Sequence, residues 1–139
     1  MNEPAAGALA ALAWAAVEPL DRRLFRHDYS DVAMLGKLVT RSRAWPAAGL
    51  AVHVANGAAF GAAYRLARRR GVGAVQLALL ENTALFPLAP LIDRFHPARG
   101  SRRLAPLFTA RGFAQATARH LVFGAVLGAL AGRSPSGEG

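Results

Sequence analysis

The stretch from Ala44 to Tyr64 contains no charged residue, and the stretch from Gly71 to Ile92 contains only Glu81. An α-helix rises about 1.5 Å per residue, so about 20 mostly apolar residues cross the hydrocarbon core of a bilayer. Both stretches reach that length. Two shorter runs resemble them: Asn2 to Val17 holds only Glu3, and His120 to Gly132 holds no Asp, Glu, Lys or Arg. The pattern predicts an all-α chain, a four-helix transmembrane bundle that forms one membrane domain over residues 1–139. The expected helices cover about residues 4–20, 46–66, 72–92 and 113–131. Pro4 and Pro46 suit first turns, where a missing N–H costs nothing, and Trp45 suits a membrane interface. Pro87 and Pro90 are expected to bend or loosen the end of the third helix. The tail from Arg133 to Gly139 is rich in Ser, Pro and Gly and is expected to be disordered.

Composition agrees with this reading. Charged residues make up 18% of the chain and hydrophobic residues 53%, whereas a soluble domain carries about 25% charged residues. The net charge of +9 raises nucleic acid as a partner. The 17 basic residues, however, lie almost wholly between the apolar runs, where anionic lipid headgroups are the nearer partner. No zinc-finger or RNA-binding signature is present, so no nucleic acid is expected. There are no cysteines, which excludes disulfides and thiolate chemistry. A secretory leader needs a positive segment ahead of its apolar run. Here Arg22, Arg23 and Arg26 follow the run instead, so the first helix reads as a retained anchor.

Basic residues also set the expected orientation. The first long connection holds Arg22, Arg23, Arg26, Lys37, Arg41 and Arg43. The second holds Arg94, Arg99, Arg102, Arg103, Arg111 and Arg119. The opposite side holds Arg65, Arg68, Arg69, Arg70 and Arg133. Positive-inside asymmetry then places both long connections in the cytoplasm of a multi-pass cell-membrane protein, with the Arg68–Arg70 run as a counter-signal. Each connection contains a candidate interfacial amphipathic helix, at Ser30–Ser42 and at Ser101–Arg111. Asp21-Arg22, Asp93-Arg94 and Glu18 read as interfacial charges at helix ends.

The chain also repeats itself. His53 to Ala62 and His120 to Ala129 both read HxxxGAxxGA, and Asp21-Arg22 returns as Asp93-Arg94. The order of matches predicts two parallel copies of a helical hairpin, about residues 1–70 and 71–132. Within the repeat, Gly57 and Gly61 lie four apart, as do Gly124, Gly128 and Gly132. Residues at that spacing share a helix face and let another backbone approach. Such faces serve packing inside the bundle or contact with a second copy or another membrane protein.

Polar residues inside the spans are the candidate functional site. His53 and Asn56 fall in the second helix, Glu81 and Asn82 near the middle of the third, and His120 in the fourth. An ionised side chain at mid-bilayer costs about 2.5–3.5 kcal/mol on insertion scales, so it persists when paired or hydrated. One carboxylate and two imidazoles at one depth could relay protons, bind a cation or sense pH. They could also form a neutral hydrogen-bonded cluster that fixes helix register, or line a ligand pocket. Their spacing matches no zinc motif, so no metal and no cofactor is expected. No GxSxG or HExxH occurs and no catalytic residue is assigned, so an enzyme is not expected.

The run His53, Gly57, Phe60, Gly61, Tyr64 and the run from His120 to Gly128 resemble the YagU-like group of small bacterial inner-membrane proteins. That resemblance implies a multi-pass membrane fold and no particular reaction. Two function classes follow from the residues. One is a small transport, proton-linked or pH-responsive protein. The other is a structural or interaction subunit of a membrane complex.

Overall fold

The computed structural model describes residues 1–132, so the expectation for the 133–139 tail, and the place of Arg133, lie outside the described residues. The described chain is all-helical apart from one isolated antiparallel bridge between Tyr29 and Leu104. Its elements are α1 (Glu3–Leu24), α2 (Asp31–Val39), α3 (Trp45–Arg68), α4 (Ala74–Leu85), α5 (Ala89–Phe95) and α6 (Ala110–Ala131).

Local chemistry explains the boundaries. The Asn2 side chain accepts from the Ala5 N–H, and Pro4 occupies the first turn of α1, as helix N-termini favour. Helix α1 runs four residues past the expected end at Leu20, through Pro19, and closes when the Phe25 N–H returns to the Asp21 carbonyl. Ser30 caps α2 by accepting from Ala33. Pro87 falls in a single 3-10 turn, Phe86–Leu88, and Pro90 in the first turn of α5. The two prolines thus mark a 3-10 break between α4 and α5. Thr109 accepts from Gly112 and starts α6 three residues before the expected position.

Helix α1 packs against α3 and α6, α4 packs against α6, and α2 packs against α3, while α3 and α4 scarcely touch. The long helices thus stand in the order α3, α1, α6, α4, as an open arc with a cleft between its two ends. Glycine makes the close approaches. A Cβ on Gly57 would fall 2.5 Å from the Gly7 carbonyl oxygen and 2.6 Å from the Ala11 Cβ, and one on Gly124 would fall 2.6 Å from the Val75 Cα. Gly61 meets the Glu3 carbonyl. Gly128 is looser, with Ala74 Cβ at 3.4 Å, and Gly132 meets only its own helix. Gly132 therefore lies outside the packing face on which its spacing placed it, because α6 ends there.

The interior is unusual in kind. Its apolar residues are mostly alanines around Trp14, Tyr64, Phe123 and Leu127, whereas Glu18, Asp21, His53, Asn82, Gln115 and Arg119 are all buried. Most of the leucines, among them Leu9, Leu12, Leu50, Leu66, Leu80, Leu85 and Leu121, are exposed.

Two segments are long and apolar enough to cross a membrane, Ala74–Phe95 and Ala110–Ala131. This is fewer than the four expected spans. Helices α1 and α3 have the length but not the composition. Helix α1 carries Glu18, Asp21, Arg22 and Arg23 within its last two turns, and α3 is rich in Ala and Gly. A helix does form within Ser30–Ser42, as α2, and it packs against α3. The second expected interfacial helix does not form: Ser101–Thr109 is an irregular loop, with Pro106 in it and with Gly100 and Arg103 at φ values of 74° and 71°.

Candidate functional site

Trp14 stands at the centre of the polar interior. The rings of His53 on α3 and His120 on α6 meet it edge-on from two sides, with centroids 5.4 and 4.7 Å away. Both histidines occupy the position four residues before the glycine that lets their helix pack, Gly57 and Gly124. Gly57 packs on α1, the helix of Trp14, whereas Gly124 packs on α4.

His120 has a fixed tautomer. Its Nδ1 lies 2.7 Å from the Ala116 carbonyl oxygen, which can only accept, so Nδ1 carries a proton. Nε2 is then left facing Glu81, with Oε2 at 3.7 Å. At 3.7 Å the two groups are within ion-pair range without a direct hydrogen bond. His53 differs, since its Nε2 is buried without a partner. Glu81 thus meets one histidine directly, and Trp14 stands between the two imidazoles.

These side chains line a cavity of about 190 Å³. Trp14, His120 and Phe123 form its floor, Met34 and Leu35 of α2 close one end, and its mouth is the cleft between α3 and α4. Asn56 reaches it from α3, and Glu81 is 40% exposed at the mouth. Asn82 does not join the group. Its Nδ2 donates to Thr117 Oγ1 at 2.9 Å and ties α4 to α6. The reason is angular: Asn82 follows Glu81 by one residue, a step of about 100° around the helix.

A second polar group, absent from the expectations, lies directly behind Trp14. The Arg119 side chain is 1% exposed. Its Nε and Nη2 grip both oxygens of Asp21 at 2.6 and 2.7 Å, its Nη1 reaches Asp31 at 2.7 Å, and its Nη2 also donates to the Tyr29 carbonyl. Glu18 stands 3.7 Å from Nη1. Glu18 also accepts from Ser30 Oγ and from the first backbone N–H groups of α2, at Asp31 and Val32. Gln115 completes the set, donating to Asp21 and to the His27 carbonyl. Trp14 Nε1 donates to Asp31 and joins this network to the cavity. The reading of Glu18, Asp21 and Arg119 as interfacial or connection charges is therefore corrected. They are buried because Arg119 pairs with the carboxylates, and because α2 returns into the bundle with its N-terminal N–H groups on Glu18. An Arg or an Asp beside an apolar run does not say which way it faces. The available signal was periodicity: Trp14, Glu18 and Asp21, like Gln115, Arg119 and Phe123, recur at helical spacing on one face.

The connections at this end interlock over the network. Asp93 accepts from the N–H groups of Leu107 and Phe108, Lys37 Nζ donates to Ser101 and to the Arg102 carbonyl, and His96 joins the Met34 carbonyl. Tyr29 is buried with no partner for its hydroxyl, and desolvation pushes its pKa well up. His27 is buried too, and its pKa is lowered by burial first and then by the Arg119 and Arg111 charges. Among the described residues no group of three or more His, Asp or Glu is placed to hold a metal ion. No family model matches this chain, and no curated protein or solved structure matches it.

Proposed function

We propose that this chain is a four-span integral membrane protein whose interior handles protons, alone or coupled to a solute. One observation carries the reading: polarity is reversed, with charged and polar side chains inside and leucines outside. In water such a surface is a liability, whereas in lipid it is the expected one. In this reading α1 and α3 cross as well: Glu18 and Asp21 of α1 are engaged by Arg119 inside the bundle, and α3 carries no charged residue before Arg65. The Glu81–His120 pair, holding one proton at the mouth of a cavity, is then the group that loads and unloads. The two histidine–glycine helices pack on Trp14 from either side, which supports an internal duplication. Kinship with the YagU-like group belongs to the same proposal and adds no reaction to it.

The test is proton flux in vesicles that hold the full chain and a pH-sensitive dye. An imposed potential should drive flux well above that of protein-free vesicles, and Glu81→Gln should abolish the excess. Equal flux from wild type and Glu81→Gln sinks the proposal. The alternative, a non-transporting subunit or homo-oligomer held in the bilayer, is favoured by one feature: every nitrogen of Arg119 is hydrogen-bonded, as in a device that fixes register. It predicts that Glu81→Gln is mild and that Gly124→Leu disrupts assembly.

A further inference from the structure

We infer that the cleft between α3 and α4 binds a small protonated amine carrying an apolar group. Three features of the cavity point to that chemistry. First, its lining includes no Lys or Arg but does include carboxylates. Asp31 already pairs with Arg119 and accepts from Trp14 through its Oδ2, whereas among the described residues Glu81 has only His120 beside it and no hydrogen bond or cationic side chain on it. Second, His53 is 8% exposed and lines the cavity, yet its Nε2 has no partner. A buried polar atom normally has one, and an ammonium N–H would supply it once a turn of the ring brings Nε2 to the cavity surface. Third, Trp14, Phe60 and Phe123 also line the cavity, and aromatic faces attract cations.

The combination excludes nearby alternatives. A carboxylate ligand would meet Glu81 with no compensating cation in the lining. A quaternary ammonium could meet Glu81 and the aromatic walls but has no N–H for His53. Leu85 on α4 lines the cavity and is itself exposed, so an apolar tail can leave the cleft toward the hydrocarbon.

The inference rests on the reading of Glu81 and His120 as the proton-carrying pair, and makes the amine its coupled solute. The ammonium needs Glu81 ionised. Its binding therefore displaces the proton the pair holds, which passes to water, while the amine keeps its own. Amine and proton compete for one carboxylate.

The experiment uses the full chain in detergent micelles on a Trp45→Phe background, so that Trp14 is the remaining tryptophan of the two. The probes are 2-phenylethylamine, its N-trimethyl counterpart and 3-phenylpropionate. The primary amine should change Trp14 emission saturably, and the other two should bind at least about tenfold more weakly. Glu81→Gln should weaken the amine by at least about tenfold with helical content unchanged. His53→Leu should weaken it in the same direction, and Asn82→Ala, outside the cavity, should leave it unaltered. If Glu81→Gln does not fold, wild type decides alone: amine binding should weaken as pH falls, and adding amine to a lightly buffered sample should release protons. Equal binding of all three probes, absence of saturation, or pH-independent affinity overturns the inference. Failure here with Glu81-dependent proton flux intact removes the amine and leaves the proton reading. Saturable, charge-selective binding with no Glu81-dependent flux does the reverse.

Discussion

Arg119 decides more about this protein than any other residue. It faces Asp21, Asp31 and Glu18, so the guanidinium is outnumbered by carboxylates in a buried space. Removing one partner of a buried ion pair leaves an uncompensated charge and costs about 3–5 kcal/mol. Arg119→Met should therefore lower thermal stability in detergent severely. Arg119→Lys should fall between, since an ammonium keeps the charge but cannot grip both oxygens of Asp21 and reach Asp31 as well. A wild-type melting temperature for Arg119→Met would show that the network is not held by its charges. His27 supplies a second residue-scale prediction. Burial, then Arg119 and Arg111, hold its pKa down, and Asp93 and Asp28 oppose this more weakly. The folded state thus binds fewer protons there than the unfolded chain, whose histidine titrates near about 6.5. Stability from this site is complete above that pH and is lost as pH falls below it. Between pH about 7.5 and about 5.5, wild type should lose more stability than His27→Gln, and equal losses would refute the assignment.

At the scale of elements, histidine and glycine keep the same spacing on α3 and α6. The i, i+4 relation that places Gly57 against Gly7 and Ala11 also sets His53 one turn away against Trp14, whereas on α6 it places Gly124 against Val75 of α4 and His120, one turn away, against Trp14 of α1. The spacing was legible in the sequence, because helical periodicity is a local property. The partners of Arg119 were not. Asp21 and Asp31 lie 98 and 88 residues away, and an arginine at the edge of an apolar run looks the same whether it faces headgroups or a buried aspartate. Nor could spacing separate Gly132 from Gly128, since only the end of α6 does so. The packing makes a graded prediction. Gly57→Ala, which forces a Cβ into the α1 backbone, should cost about 1–3 kcal/mol or more as overpacking. Gly128→Ala, whose Cβ would lie 3.4 Å from Ala74, should be tolerated. Equal melting temperatures for the two variants would mean that α1 and α3 separate more easily than their contact implies.

At the scale of the whole molecule, the number of spans depends on what surrounds the outer leucines. Hydropathy alone picks out Ala74–Phe95 and Ala110–Ala131; averaging along α1 counts Glu18 and Asp21 as if they faced outward, although both are buried. A per-residue average cannot register that a charge is spent inside. The proposed four-span arrangement therefore makes a claim that the two-span reading does not, namely that the outer face of α1 lies in lipid along with that of α4. The chain has no cysteine, so single cysteines can be placed without a reactive background. Arg41→Cys and Arg102→Cys mark the end where the connections interlock, and Arg69→Cys marks the other. In sealed vesicles of one orientation, a membrane-impermeant maleimide should label the first two from one side and Arg69→Cys from the opposite side. Removing Arg119 from the surface leaves eleven basic residues at the interlocked end and Arg65, Arg68, Arg69 and Arg70 at the other. The interlocked end should accordingly face the cytoplasm. Leu12→Cys on α1 and Leu80→Cys on α4, both exposed on the outer face, should resist the aqueous reagent until detergent is added. Ready labelling of Leu12→Cys with Leu80→Cys protected would place α1 outside the bilayer. The Arg119 network would then be a surface-side anchor for two spans rather than the charged interior of four.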